Sequence, residues 1–373
     1  MAHIFKHPKG NTKGIIVFSH KEIFHFVKYL KNTRFQSLNR IQSSFLPKDE
    51  LKGFYKKGFD QLRKKYFVGM HFGRFTPDQH TYDFVDFYMA GEGTVTWLKQ
   101  AKPFWIPMNS RNFVPSFFRN EEYQNKYWDL ITVSSVLNVK NTDVLIREIR
   151  KMYDLNKKFK ILFVIPSRYN ETEERFNTKL LEYYDQNFSY EEKSLFTILK
   201  LSPELSFMGI SKKQLVHFYN SSKVFTLFSQ LEGESRVISE ALLCGLPVVV
   251  KNDLIGGGRD YLNESNSFYF NEYEKAHLTL IQAIENYSSR IPNNELTKEL
   301  REDKSIEKLK EYFDDLYQEH NSTFDGELIN INQLDNRLPS HYNDVKWSLG
   351  KFKTADVLSK EQFNIFLSCL ELI

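Results

Sequence analysis

Between residues 129 and 250, short apolar runs alternate with helix-like text, and this alternation constrains the fold more than any other feature of the chain. The apolar runs are DLITVSS, FKILFVIP, LFTILKL, LSFMGI, KVFTLFS and LPVVV. Runs such as ILFVI and PVVV have no polar residue at alternate positions, so they suit strands buried on both faces. The segments between them, NTDVLIREIRKMYDL, a stretch from about Glu171, SKKQLVHFYNSS and RVISEALLCG, read as helices. Strand and helix repeating at this spacing predict βα units on a parallel sheet, an α/β fold.

The flanking text is less regular. Ahead of the repeat lie strand-like GIIVF (Gly14–Phe18), KYFVGMHF (Lys65–Phe72), TVTW and PFWI, with an amphipathic helix predicted from Lys21. KPFWIPMNSRNFVP carries three prolines in 14 residues and suits a connector between domains. After Asn271 the text turns helical and charged, and a tail begins near Phe324. A chain of 373 residues exceeds the usual size of one core. The reading is an N-terminal domain over 1–115, a C-terminal domain over 116–330 and a helical tail over 331–373.

Composition narrows the class. Hydrophobic residues at 41% and charged residues at 26% are ordinary for a soluble globular protein. Aromatics reach 15%, which fits either large cores or sugar-stacking surfaces. Cys244 and Cys369 provide neither a disulfide framework nor metal-ligand spacing. The first residues lack the pattern of a secretory signal, and the longest apolar runs are too short to span a bilayer, so a cytoplasmic protein is expected. Charge is uneven: residues 1–120 hold 20 Lys and Arg against 8 Asp and Glu, and the remainder 31 against 39. A basic first third is either an evenly solvated surface or a face for an anionic acceptor or an anionic membrane surface. No reading helix or aromatic-basic RNA motif stands out, which argues against nucleic acid.

One stretch carries chemistry: LEGESRVISEALLCGLPVVV, Leu231 to Val250. Glu232 stands just before a helix and Glu240 about two turns on. Eight residues at 100° place their carboxylates roughly 80° apart on an ideal helix, so both could border one cleft. The helix-start amides from Gly233 to Arg236 are unpaired donors at a positive dipole end, an anion site, and the Arg236 guanidinium suits phosphate. A solvated helix with an acidic first turn is the competing reading.

EGESRVISEALLCGLPVV resembles the Glu-x7-Glu signature of retaining glycosyltransferases of group 1 (family 4-like), where the usual text is EGFGxxxxEAMAxGxPVV. SFMGISKKQLVHFYNSSKVFTLFSQLEGE, WDLITVSSVLNVKNTDVLI, IGGGRDYL and WIPMNSRNFVP are similar to other parts of the same family, and the resemblance covers about residues 103–290. It implies a GT-B fold: two Rossmann-like domains facing a central cleft, with C-terminal helices crossing back toward the N-domain.

The resemblance also implies roles. Glu240 matches the glutamate that binds the ribose hydroxyls, and Glu232 the one that contacts the donor sugar. Gly233, Glu234, Ser235 and Arg236 match the loop that meets the diphosphate, and Lys140 the lysine that neutralises it. Gly257 and Gly258 fall where backbone approaches the ligand closely. Base selectivity is expected from loops near Phe207–Gly209 and Ile165–Arg168, with Phe207, Gly209 and Arg168 as donor-binding candidates. His71, in YFVGMHFGRF, matches a His-ending strand that lines the cleft opposite the donor, a position that a lone histidine also fills for purely structural reasons; Arg74 and His80 are further candidates. Four departures are visible: Ser135 stands where the family has Arg, IPSRYN replaces the Gly-rich turn after the second strand of the C-terminal domain, the N-terminal domain is shorter than the family norm, and its Gly-Gly loop after the first strand is missing.

The implied activity is transfer of a sugar from a nucleotide-diphosphate sugar to a glycan or lipid-linked acceptor hydroxyl, with retention and with no metal or cofactor. The alternative from another class is a GT-B-shaped module or partner subunit that binds a nucleotide sugar without turnover, which Ser135 and the short N-terminal domain motivate.

Overall fold

A computed structural model describes residues 2–19, 48–72, 81–91, 103–121, 125–166, 171–201, 210–233, 235–338 and 367, 368 and 370. The chain divides into two compact units, Met1–Phe113 with Ile306–Ile373, and Val114–Ser305. The return to the first unit therefore begins at Ile306, within a long helix, rather than at residue 331 where the sequence reading started the tail.

The first unit is built on β1 (His3–Lys6), β2 (Gly14–Ser19), helix α1 (Lys48–Lys65), β3 (Tyr66–His71), β4 (Phe87–Met89) and β5 (Trp105–Ile106). The strands follow chain order across the sheet. β1 pairs antiparallel with β2, and the other neighbours are parallel. Ile15, Val17 and Phe67 take one face, as the two-residue strand period requires, and pack into a core with Leu309, Phe313, Leu316 and Tyr317. Those four recur at helical spacing on the helix Glu302–Glu319, so one apolar stripe secures it to this sheet.

The second unit follows the predicted alternation closely. It contains β6 (Trp128–Val133), α2 (Thr142–Asp154), β7 (Ile161–Ile165), α3 (Glu171–Asn187), α4 (Tyr190–Leu195), β8 (Phe196–Lys200), α5 (Lys212–Asn220) and β9 (Ser222–Leu227). Then come β10 (Leu231–Glu232), α6 (Arg236–Leu243), β11 (Val248–Lys251), β12 (Ile255–Gly256), β13 (Ser267–Phe270), α7 (Ala276–Glu285) and α8 (Asn294–Glu299), with the boundary helix α9 (Glu302–Glu319) and a final short helix α10 (Leu334–Arg337) in the remaining chain.

Its main sheet runs β13-β11-β9-β6-β7-β8, every pairing parallel. Successive strand residues serve opposite cores. Leu162, Val164, Val248 and Val250 face α5 and α6, whereas Ile161, Phe163, Ile165 and Val249 face α2, α3 and α7. Burial on both faces explains the unbroken apolar runs. In this doubly wound order the chain starts at β6, winds outward to β8, then returns to β9 on the other side. The strand order reverses between β6 and β9, and that is where an open α/β sheet leaves a crevice outside its carboxyl ends.

Several sequence expectations fall differently. The helix from Lys21, the TVTW strand and most of LSFMGI lie outside the described residues. β1, α1, β4 and β13 were not anticipated.

Candidate functional site

The crevice between β6 and β9 is bordered by two loops. After β6 the chain makes a 3-10 turn over Asn138–Lys140 and enters α2 through Asn141, whose backbone is left-handed at φ 48°. Asn tolerates that conformation better than most residues. Its side chain then bridges the crevice: Asn141 Nδ2 donates to the Phe228 carbonyl at 3.1 Å and to the Tyr273 hydroxyl at 2.7 Å. Tyr273 in turn donates to the same Phe228 carbonyl at 2.9 Å. Because Phe228 immediately follows β9, this network holds the two loops in register. Neither Asn141 nor Tyr273 was singled out from sequence.

The loop after β9 does not run straight into a helix. Leu231 and Glu232 form the two-residue strand β10, paired in parallel with Ile255 and Gly256 of β12. Helix α6 starts only at Arg236. Glu232 is therefore held by a strand, and the 80° separation of two carboxylates on one helix does not describe the pair. The glycine turn after β12 explains how β10 is accommodated. Gly257 has φ +46°, and a Cβ placed there would lie 2.2 Å from the Cβ of Glu232. Gly258, at φ +94°, abuts Ile238. Only residues without a side chain let this turn close on Glu232.

Lys140 and Glu232, 92 positions apart in the chain, meet here. The Lys140 Nζ lies 2.6 Å from each Glu232 carboxylate oxygen. The lysine side chain keeps 21% exposure and the glutamate 5%. Glu240, also buried, lies on the second turn of α6 and accepts a hydrogen bond from the Tyr219 hydroxyl of α5. Arg236 occupies the first turn of α6, and its positive charge is felt at Tyr219. Ser235 caps α6 with extended backbone and makes no side-chain capping bond, so the helix-start amides are not taken by their own cap. Gly233 is on the same loop. Glu234, Phe207, Gly209 and Arg168, like Arg74 and His80, lie outside the described residues.

At the other end of α6, Gly245 takes φ +79°, and its N–H and that of Leu246 close on the Leu242 and Ala241 carbonyls. This terminates the helix and turns the chain into β11. Cys244 is buried there, and burial pushes its thiol pKa far up, so it stays protonated.

His71 ends β3 in the first unit and is fully buried. Its Nε2 accepts from the backbone N–H of Ser110 at 3.3 Å. That turn, Ser110–Asn112, is closed by a reciprocal bond pair between Asn109 and Asn112. An imidazole enclosed in this way holds the connector turn. Among the described residues, no group of three or more His, Cys, Asp or Glu is placed to hold a metal ion, and no helix is long and apolar enough to cross a membrane.

The model for glycosyl transferases group 1 matches residues 114–303 of the chain. No curated protein matches it by sequence. Among solved structures it is similar to a mutant of TarM from S. aureus in complex with fondaparinux, alpha-GlcNAc-glycerol and UDP, with a TM-score of 0.52 at 13% identity. That match covers 70% of this chain and 53% of TarM. It is also similar to the pneumococcal O-GlcNAc transferase GtfA in complex with UDP and GlcNAc, with a TM-score of 0.50, 14% identity, and 70% and 54% of the two chains covered. A glycosyltransferase from Rickettsia africae aligns with a TM-score of 0.50 at 13% identity, over 73% of this chain and 75% of its own. The chain thus spans about half the length of the first two. These likenesses show the fold, GT-B.

Proposed function

Since the chain belongs to the glycosyl transferases group 1 family, we propose that it is a retaining glycosyltransferase that moves a sugar from a nucleotide-diphosphate donor to a hydroxyl of a glycan or lipid-linked acceptor. The observation that carries the reading is the meeting of Lys140 and Glu232 at the point where the strand order reverses. A cation and a buried carboxylate side by side match a donor with a charged diphosphate and a hydroxyl-rich sugar.

In this reading Glu232 accepts hydroxyls of the transferred sugar and Glu240 those of the ribose. The amides at Gly233–Ser235 and the start of α6 receive the diphosphate, with Lys140 and Arg236 as its cations. Gly257 and Gly258 bring backbone close to the sugar side of the site. Base selectivity is assigned to the loops that carry Phe207, Gly209 and Arg168, where the text departs most from the family's. Fixed donors and cations around the departing diphosphate stabilise charge as it develops, without reorganisation at the moment of reaction. Arg236 then covers for the cation missing at Ser135, and no metal is required. The basic first third is assigned to an anionic acceptor or to the surface of an anionic membrane on the cytoplasmic side.

Incubating the protein with UDP-, GDP- and ADP-sugars and mixed acceptors, read by mass spectrometry, tests the activity. Transfer or donor hydrolysis is expected. Donor binding with neither product would favour the non-catalytic module that Ser135 motivates.

A further inference from the structure

The two groups assigned to the donor are bound to each other, and they are not equivalent partners. Glu232 is buried on β10, with the Gly257 turn packed against its Cβ. Lys140 sits at the end of a 3-10 turn, reaches in on a flexible four-carbon stem and keeps one-fifth of its side chain exposed. The lysine is the member able to leave.

Resting on the donor-site reading above, we propose that the Lys140–Glu232 ion pair is a gate that discriminates against the bare nucleoside diphosphate. A diphosphate must draw Lys140 away from Glu232 to gain its charge. That leaves a buried carboxylate without its cation, beside newly arrived negative charge. A nucleotide sugar returns hydroxyl donors to the abandoned carboxylate, since an ionised Glu accepts at both oxygens. A nucleotide that has lost its sugar returns nothing. After transfer, Lys140 swings back to Glu232 and the diphosphate loses its cation. The pair therefore favours substrate over product and assists product release without any movement of the main chain.

The gate makes an unusual demand: removing a proposed sugar-binding group must tighten binding of the product. Isothermal titration with UDP, GDP and ADP separately, on the wild type, Glu232→Gln and Lys140→Met, tests it. Glu232→Gln keeps the side-chain shape and releases Lys140. It is expected to bind whichever diphosphate the wild type prefers at least about fivefold more tightly, a difference of about 1 kcal/mol. Lys140→Met is expected to bind it more weakly than the wild type. Glu232→Ala, which keeps the Cβ that packs against the Gly257 turn, serves if the Gln variant fails to fold, and is expected to tighten binding in the same direction. If the wild type binds a diphosphate and the Glu232 variants bind it no more tightly, the gate is wrong and the donor site stands. If none of the three diphosphates binds the wild type or any variant, the donor-site reading falls and the gate with it.

Discussion

The Tyr219 hydroxyl donates to Glu240 Oε2 at 3.2 Å, and both side chains are shut away from solvent. Burial first, and the Glu240 charge second, push the Tyr219 phenol pKa well above its usual value, so the hydroxyl keeps its proton to donate. Tyr219 stands in the α5 face of the core, between Phe118 and Phe225. A packed ring thus fixes the direction of the carboxylate proposed to hold the ribose. Tyr219→Phe removes one hydrogen bond to a charged group, worth about 1.5–3 kcal/mol, which urea unfolding would register. Donor affinity should also fall severalfold. Lost stability with unchanged donor affinity would mean that Glu240 does not depend on Tyr219 for its orientation.

The glycine turn gives a paired comparison. Gly257 and Gly326 both have positive φ, +46° and +75°, but a Cβ at Gly326 meets open space. Alanine at 326 should cost only the left-handed strain, about 1 kcal/mol. Alanine at 257 adds the collision with Glu232, and overpacking of that kind costs a further 1–3 kcal/mol or so. Thermal melts of the two variants should therefore separate clearly. Equal losses would show that the turn does not press on Glu232.

These contacts indicate which parts of the molecule could be read from residues alone. The sheet of the second unit was legible because strands covered on both faces need apolar residues throughout, as in ILFVI and VVV. β1 was not legible, because HIFK buries a histidine and a lysine that pattern reading places at the surface; Lys6 is neutralised by Asp325, 319 positions away. α1, KDELKGFYKKGFDQLRKK, is too rich in charge for its apolar stripe to stand out. At the site, the residue types around Glu232 and Glu240 came from local spacing and from resemblance. The placement of Glu232 on a strand depends on β12, more than twenty positions later. Lys140 meeting Glu232, Asn141 reaching Phe228 and Tyr219 reaching Glu240 are tertiary contacts, and periodicity carries no signal for any of them.

A pH series tests the pair that joins α2 to the start of α4. Both nitrogens at the end of Arg150 donate to Glu192, each at 2.7 Å. The Arg150 hydrogen bonds foremost, and the Ser189 backbone N–H as well, lower the Glu192 pKa to about 2 from 4.5. Because the folded value is the lower one, the stabilisation is fully present above pH 4.5 and is lost as pH falls toward 2. Glu192→Gln should be less stable than the wild type at neutral pH, and the gap should close between those two values. A gap independent of pH would show that the pair's charge contributes nothing.

The central claim is that the crevice between β6 and β9 binds a nucleotide sugar through Glu240 and its neighbours. A thermal-shift panel of nucleotide sugars on the wild type and Glu240→Ala tests it most directly. A donor at 100 times its dissociation constant adds ~2.7 kcal/mol of stability, so at least one should raise the wild-type melting temperature. Glu240→Ala should lose most of that rise. A rise of equal size in the variant, or no rise with any nucleotide sugar in the wild type, would contradict the account.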